Sequence, residues 1–293
     1  MMRGPDKLAC VVRGPDGLVV KEKELRPTPK ILKVPFIRGV YGFGNAMKEA
    51  FESLSFSADI FPEEEEESKF EKWLSEKFGS KAVQKGVTVF AMVLGVVLAV
   101  GLFFALPILL STLLENFLSA REMTLGGWRA LFEGVTRLLI FFLYIVFISL
   151  MKDIQRVFAY HGAEHKTIHC YEAGLELTVE NTREQSRMHP RCGTSFLLMV
   201  FIIGVLAFLW VTNTNFFIRL GLKLLVLLPV VAVSYEVNRL IGRYDNLLCR
   251  FVRAPGIWLQ RFTTREPDDG MIEVGIDALT RVIPADKGSD TWK

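Results

Sequence analysis

The histidines of this chain are clustered, and their spacing is typical of a metal site. All four histidines among the 293 residues fall within a stretch of 29: His161, His165, His169 and His189. The tract His161-Gly-Ala-Glu164-His165 fits the H-x-x-E-H pattern, in which two imidazoles bind zinc and the glutamate activates a water molecule. Residues four apart share one face of a helix, so both imidazoles can reach the same ion. The sequence therefore predicts a divalent metal site, with zinc as the expected ion.

A zinc site needs ligands beyond this pair of histidines. Zinc binds histidine, cysteine or carboxylate side chains, and a catalytic site has three protein ligands and one open position. The tract His189-Pro-Arg-Cys192 supplies two such side chains just before an apolar segment. We expect His189 and Cys192 to complete the metal site with His161 and His165. Glu236, which follows His165 by 71 residues, is an alternative ligand.

Glu164 is the candidate catalytic residue, because it occupies the position of the general base in this pattern. The alternative interpretation makes the histidines polar surface groups and Glu164 a surface carboxylate paired with Lys166 or Arg187. Glu172 lies about 10 Å along the helix axis from the second histidine and can join the same ion only if the helix bends. Gly162, between the two histidines, could leave room for a ligand.

Four long apolar stretches predict four membrane-spanning helices. The hydrocarbon core of a bilayer is about 30 Å thick, which a helix crosses with roughly 20 apolar residues. The predicted spans are residues 86–114, 130–151, 193–211 and 217–241, within a membrane domain at 86–241. No proline occurs from Ala130 to Ala173. We therefore expect the second span to continue as one helix up to Gly174 and to carry the histidines beyond the membrane.

Lysine and arginine are concentrated on one side of the predicted spans. Residues 1–85 contain fifteen of them, residues 152–192 six and the tail from residue 242 eight, whereas residues 115–129 contain two. Positively charged loops stay in the cytosol. Both termini and the histidine-rich loop at 152–192 are therefore predicted to be cytosolic. The net charge of +3 is small, so no nucleic-acid partner is expected.

The expected fold class is mostly α: a four-helix polytopic membrane protein with a small cytosolic α+β portion. Within residues 1–62, the turn sequence between Lys7–Val12 and Leu18–Glu24 predicts a β-hairpin. Apolar residues spaced three or four apart from Phe36 to Leu54 predict an amphipathic helix that lies in the membrane interface or packs on the spans. Residues 63–85 are predicted to be a charged linker, and residues 242–293 a tail that packs on the amino-terminal region.

Several tracts of the chain resemble one known family. They are Met-Met-Arg-Gly-Pro at the start, Ser-Phe-Ser-Ala at 55–58, and the longer tracts at 161–166, 189–196 and 259–267. Together they resemble the YqhQ family, bacterial membrane proteins of unknown function with a DUF1385 domain. The resemblance covers nearly the whole chain and implies a bacterial plasma-membrane protein and a predicted metal-dependent enzyme. The Gly-rich segment that precedes Met-Met-Arg-Gly-Pro in the family is missing here. His169 is not part of the family pattern, so we interpret it as a bystander.

Two functions follow as hypotheses. The first is a metal-dependent hydrolase at the cytosolic membrane face, acting on a peptide or lipid-linked substrate. The alternative is a non-catalytic factor with a structural metal site that binds or assembles other membrane proteins. A transporter is disfavoured, because the spans hold few polar residues and show no inverted repeat of broken helices. Glu133 and Arg137, one turn apart in the second span, are expected to pair with each other.

Overall fold

The chain is mostly helical, with one small antiparallel sheet at its amino terminus. The computed structural model describes residues 1–25, 27–60, 80–190, 192–212, 215–244 and 246–284. Most of the predicted charged linker at 63–85 lies outside these ranges.

The predicted β-hairpin is present and gains a third strand. Strands β1 (Met2–Arg3), β2 (Lys7–Gly14) and β3 (Gly17–Glu24) form an antiparallel sheet in the order β1-β2-β3. Gly14 pairs with Gly17, so the hairpin loop consists of two residues, and Gly17 has a φ of +130° that favours glycine. Leu8 to Val12 are buried, whereas most of β3 is exposed.

Helix α1 spans Ile37–Ile60 and follows a short 3-10 helix at Lys30–Lys33. Its predicted apolar stripe is exposed: Met47 and Leu54 have 59% and 63% of their surface accessible. The face turned inward is small and polar, with Gly39 and Glu49 buried. The carboxylate of Glu49 accepts hydrogen bonds from Arg3 at 2.5 Å and from the amide of Asn45 at 2.7 Å.

The remaining helices follow in chain order. They are α2 (Ser80–Val100), a π-helical turn (Gly101–Ala105), α3 (Leu106–Ser119), a 3-10 turn (Gly126–Trp128), α4 (Arg129–Ser149), α5 (Lys152–Glu172), α6 (Val179–Arg183), α7 (Gly193–Phe208), α8 (Phe216–Arg243), α9 (Leu247–Thr263) and α10 (Asp269–Thr280).

Among the residues that the structure describes, three helical stretches are long and apolar enough to cross a membrane: Gly86–Ser119, Gly126–Ser149 and Phe216–Arg243. They correspond to the first, second and fourth predicted spans and indicate membrane association. Helix α7, at the third predicted span, is apolar but has 16 residues. At 1.5 Å per residue it is about 24 Å long, which is shorter than the roughly 30 Å hydrocarbon core. By length alone, the fourfold crossing is therefore not confirmed.

The second span does not continue as one helix, and this part of the prediction is wrong. Helix α4 ends at Ser149, Met151 has an extended backbone (φ −74°, ψ 130°), and α5 begins at Lys152. The carbonyl of Ser149 accepts from the side chains of Gln155 (3.3 Å) and Arg265 (2.9 Å). Because these side chains replace the helical hydrogen bonds of the last turn, the chain can break without a proline or glycine.

The chain forms two compact units. In the first, which includes residues 142–204, the sheet and α10 share one core with α5. Met2, Ala9 and Val11 of the sheet are buried against Val274 and other side chains of α10, and Tyr160 and Ile168 of α5 pack on the same cluster. The terminal segments are thus joined although they lie more than 250 residues apart in sequence.

The second unit, which includes residues 205–225, contains a buried charge cluster. The carboxylate of Glu133 accepts hydrogen bonds from Arg219 (2.7 Å), Lys223 and the hydroxyl of Ser111 (2.6 Å). The expected pairing of Glu133 with Arg137 is wrong.

Arg137 instead donates from Nε to the carbonyl of Phe103 at 2.7 Å. In a regular helix that carbonyl would accept from the residue four positions later, which is Pro107 and has no N–H. Arg137 therefore supplies the donor that the proline removes.

Candidate metal centre

Helix α5 places three of the four histidines along one face. Its first residue is Lys152, and it ends at Glu172 before Gly174, whose φ of +70° allows the chain to turn away. The imidazole rings of His161 and His165 lie 4.3 Å apart between centroids. The spacing of four residues thus brings the two rings into contact, as the sequence predicts for a helix.

Cys192, which precedes α7, joins this pair to form the first triad (His161, His165 and Cys192). One ligand atom from each residue lies within 4.8 Å of the other two. Sγ of Cys192 is 3.2 Å from Nε2 of His161. His165 and Cys192 are buried and His161 is nearly so, which shields the three ligand atoms from bulk water.

Backbone carbonyls orient both imidazoles of the first triad. Nδ1 of His161 is 2.8 Å from the carbonyl of Thr263, and Nδ1 of His165 is 2.7 Å from the carbonyl of Arg187. A carbonyl can only accept, so each Nδ1 carries a hydrogen, and Nε2 is the nitrogen that can bind an ion once it is deprotonated. Histidines that bind metals have this arrangement, because the outer hydrogen bond fixes the tautomer and the ring. The donor set therefore fits a zinc-type ion.

The electrostatics of the triad favour a thiolate. Burial raises the pKa of the Cys192 thiol, but hydrogen bonds and positive charge from His161 and His165 outweigh it and lower the pKa to about 5. Burial lowers the pKa of His161, whereas its hydrogen bond to Cys192, the charge of Cys192 and that of Glu164 raise it to about 9. A thiolate is the form of cysteine that binds metals.

His189 lies beside this group but belongs to a second triad (His169, Glu172 and His189), whose ligand atoms also lie within 4.8 Å of one another. Nε2 of His189 is 3.2 Å from Oε2 of Glu172. The structure therefore divides the four predicted ligands into two groups. His161, His165 and Cys192 lie together, whereas His189 lies with His169 and Glu172, which were not in the predicted ligand set. The interpretation of His169 as a bystander does not fit this geometry.

Gln260 of α9 determines where His189 lies. The buried side-chain amide of Gln260 accepts from the backbone N–H of His189 at 2.8 Å and donates to its carbonyl, also at 2.8 Å. A further hydrogen bond, 3.2 Å long, runs to the hydroxyl of Ser195. The sequence reasoning missed Gln260, although it falls in the tract 259–267.

The model of a family described as "Protein of unknown function (DUF1385)" matches residues 34–285, which include both triads and Gln260. The chain belongs to the DUF1385 family. The "Uncharacterized protein YqhQ" of Bacillus subtilis (strain 168) is 31% identical over 288 residues, which cover 97% of this chain and 89% of that protein. These matches confirm the resemblance to the YqhQ family. No solved structure matches the chain.

In this DUF1385 chain, Gly162 makes room for the protein's own backbone rather than for a ligand. A methyl group on Gly162 would overlap the carbonyl oxygen of Arg265 and stand 3.2 Å from its carbonyl carbon. Next to this contact, the N–H of Arg265 donates to the carbonyl of Phe158 at 2.9 Å. The segment after α9 thus lies directly on α5, and this close approach brings the carbonyl of Thr263 to His161.

Glu164 is half-buried on α5 next to the first triad. Among the residues that the structure describes, no hydrogen bond or ion pair to its carboxylate is found. The partners that the alternative interpretation offered, Lys166 and Arg187, both form ion pairs with Glu266 instead, at 3.0 Å and 3.3 Å. Glu164 is therefore not held by those partners.

Glu236, the alternative metal ligand, is not at the DUF1385 centre. Its carboxylate accepts from the guanidinium group of Arg38 and from the backbone N–H of Phe36 at 3.1 Å. A carboxylate bound by a guanidinium fork is satisfied in that role. The prediction of Glu236 as a ligand is therefore wrong.

Two cavities adjoin the segment between α6 and α7, which contains His189, and both are lined by several arginine side chains. The larger measures about 710 Å³ and is lined by Met188 and Pro190, on either side of His189, and by Trp258, Arg243, Arg250, Arg253 and Arg261. The smaller, of about 440 Å³, is lined by Ser149, Arg187, Arg261, Thr264, Arg265 and Glu266. The surroundings of the centre are thus strongly basic and suit an anionic ligand.

Proposed function

We propose that this protein is a metal-dependent hydrolase of the bacterial plasma membrane, with its centre at the cytosolic face. The observation that carries the proposal is the first triad, in which two imidazoles with carbonyl-bound Nδ1 atoms and a cysteine present their ligand atoms within 4.8 Å. When bound, a divalent ion supplies a Lewis acid that polarises the substrate and acidifies water. Three protein ligands would leave one position open, as in catalytic zinc sites.

The role of Glu164 in the proposal is to accept a proton from the attacking water. A general base must be close to the reacting atoms and must not be held by another partner. Glu164 meets both conditions, because its charge acts on His161 and no ion pair to it is found in the described part of the chain. His161, His165 and Cys192 bind the ion, and the carbonyls of Thr263 and Arg187 hold the rings.

The shared core of the first unit supports a multi-pass topology with both termini in the cytosol. The amino-terminal sheet, α5 and α10 pack together, so they must lie on one side of the membrane. Two crossings precede α5, and α10 can return to the same side only if an even number of crossings follows. In the proposed topology α8 is one of them and α7 is the other. An apolar helix of 16 residues can cross where the bilayer thins locally.

The proposed substrate is an anionic molecule linked to a lipid. The larger cavity lies where α8 ends at Arg243, and the next helix, α9, exposes Leu247 (85%) and Phe251 (77%). Arginine side chains bind phosphate and carboxylate groups, and Trp258 in the lining is a residue type common at membrane interfaces. The exposed apolar stripe of α1 is a second surface suited to the interface.

The test is the metal content of the purified protein in mild detergent. Wild type is expected to carry zinc in the first triad, Cys192→Ala to lose that ion, and Cys249→Ala to retain it as a matched control for loss of a buried thiol. Glu164→Gln is expected to retain the metal but to lose hydrolysis of lipid-linked phosphate esters. Wild type without bound metal would refute the proposal.

A second candidate is a non-catalytic factor that binds or assembles other membrane proteins around a structural metal site. The observation that favours it is the exposed apolar stripe of α1, which could contact another membrane protein. A structural zinc site is closed, with four protein ligands. Cobalt substitution separates the two functions: a spectrum that changes when anions are added indicates an open position and the hydrolase.

A further inference from the structure

We propose that the second triad (His169, Glu172 and His189) binds a second divalent cation next to the first. This inference rests on the proposed function in one respect, because both ions would occupy the same histidine-lined centre. It goes beyond that function by assigning a site to residues outside the predicted ligand set.

The ligand atoms of the second triad fit a cation. One atom from each of His169, Glu172 and His189 lies within 4.8 Å of the other two. Two imidazoles and a carboxylate form a donor set found in zinc enzymes. This set contains no thiolate, so it also suits harder ions such as manganese, which prefer nitrogen and oxygen ligands.

His169 is oriented in the same way as the histidines of the first triad, but with the other ring nitrogen. Its Nε2 is 2.9 Å from the carbonyl of Met188, so Nε2 carries the hydrogen and Nδ1 keeps a lone pair. A hydrogen bond between His189 and Glu172 does not require His169, whereas a bound cation would use His169 as a third ligand. The carbonyl of Met188 therefore acts on His169 as those of Thr263 and Arg187 act on the first triad.

The backbone of the second triad is fixed independently of any ion. The amide of Gln260 binds both the N–H and the carbonyl of His189 at 2.8 Å. His169 and Glu172 lie in the last turn of α5, which ends in a hydrogen-bonded turn from Gly174 to Tyr171. A site with such support loses little freedom when it binds an ion.

The two triads are neighbours rather than separate sites. The four imidazoles form one row, with centroid distances of 4.3 Å from His161 to His165, 5.7 Å from His165 to His189 and 4.7 Å from His189 to His169. Paired cations recur in enzymes that hydrolyse phosphate esters. Together with the arginine-lined cavity beside Met188 and Pro190, this pairing points to a phosphate ester as the substrate class.

Metal counting separates this inference from the proposed function. The protein, purified in mild detergent and dialysed against zinc, is expected to carry about two ions per chain by elemental analysis. His169→Ala and Glu172→Gln should each retain about one ion. Glu184→Gln, which removes an exposed carboxylate in the chain segment between Glu172 and His189, should retain both. Glu172 is about one-third exposed, so Glu172→Gln tests the site even if His169→Ala fails to fold.

Loading with manganese gives an independent reading. Manganese should occupy the thiolate-free second triad, so the electron paramagnetic resonance spectrum of the wild type should show a bound manganese ion that Glu172→Gln lacks. One ion in the wild type that persists in His169→Ala would overturn the second site and leave the proposed function intact. Wild type without any ion would overturn both.

Discussion

Gly162→Ala tests whether the segment after α9 controls the first triad. The added methyl group would overlap the backbone carbonyl of Arg265, so that segment must retreat by roughly 1 Å to restore van der Waals contact. The hydrogen bond from His161 to the carbonyl of Thr263, now 2.8 Å long, would then exceed the distance at which such a bond exists.

The expected cost combines three contributions. Overpacking costs about 1–3 kcal/mol, and loss of the hydrogen bonds of His161 and Arg265 adds about 1 kcal/mol each. Replacement of glycine by alanine within a helix returns about 1 kcal/mol. The net loss is about 3 kcal/mol, equivalent to a decrease in Tm of roughly 6–12 °C. Loss of the outer hydrogen bond of His161 should also weaken zinc binding about 10- to 100-fold.

The assay is thermal unfolding followed with a thiol-reactive fluorophore, since all four cysteines are buried and react once the protein unfolds. Zinc affinity is measured in parallel by competition with a chelator. Gly221→Ala in α8 is the matched control, because a methyl group there meets no atom within 4 Å. Equal Tm and zinc affinity for Gly162→Ala and Gly221→Ala would refute the reasoning.

Two further variants test the buried polar groups. Glu133→Gln leaves Arg219 and Lys223 without their carboxylate and should cost about 3–5 kcal/mol, seen as a lower Tm. Adding Lys223→Met to Glu133→Gln should recover part of that loss. A Glu133→Gln protein with the same Tm as wild type would contradict the role of the cluster. Gln260→Leu removes both hydrogen bonds of Gln260 to the backbone of His189 and should cost about 1–3 kcal/mol in thermal unfolding. The same variant should weaken the second ion more than the first in metal titrations, and an equal effect on both would argue against a separate second triad.

Local spacing was sufficient to predict the contact between His161 and His165, because residues four apart on a helix always meet. It was not sufficient for His189. The position of His189 depends on Gln260, 71 residues later, and no local pattern encodes that contact. On sequence alone, His169 is therefore interpreted as a bystander and Glu172 is expected to reach the ion only if the helix bends, whereas the structure brings both to His189.

The break in the helix after α4 could not be predicted from the local sequence either. Neither Leu150 nor Met151 is a helix breaker, and the carbonyls released there are satisfied by Gln155 and by the distant Arg265. In α1 the amphipathic pattern was correct, but it does not say whether the apolar face or the polar face with Glu49 is turned inward. Arg3 pairs with Glu49, so that face is turned inward and the apolar stripe outward.

The joining of both chain ends in one core has a consequence for biosynthesis. During translation, strand β2 leaves the ribosome long before α10, whose Val274 and Ala278 cover Ala9 and Val11. The apolar side chains of β2 therefore stay uncovered until the apolar helices between the two elements have been synthesised. Thr263, which orients His161, is synthesised equally late. The proposed ion would therefore bind only after α9 has been synthesised and has packed on α5, so metal uptake would report an assembled molecule.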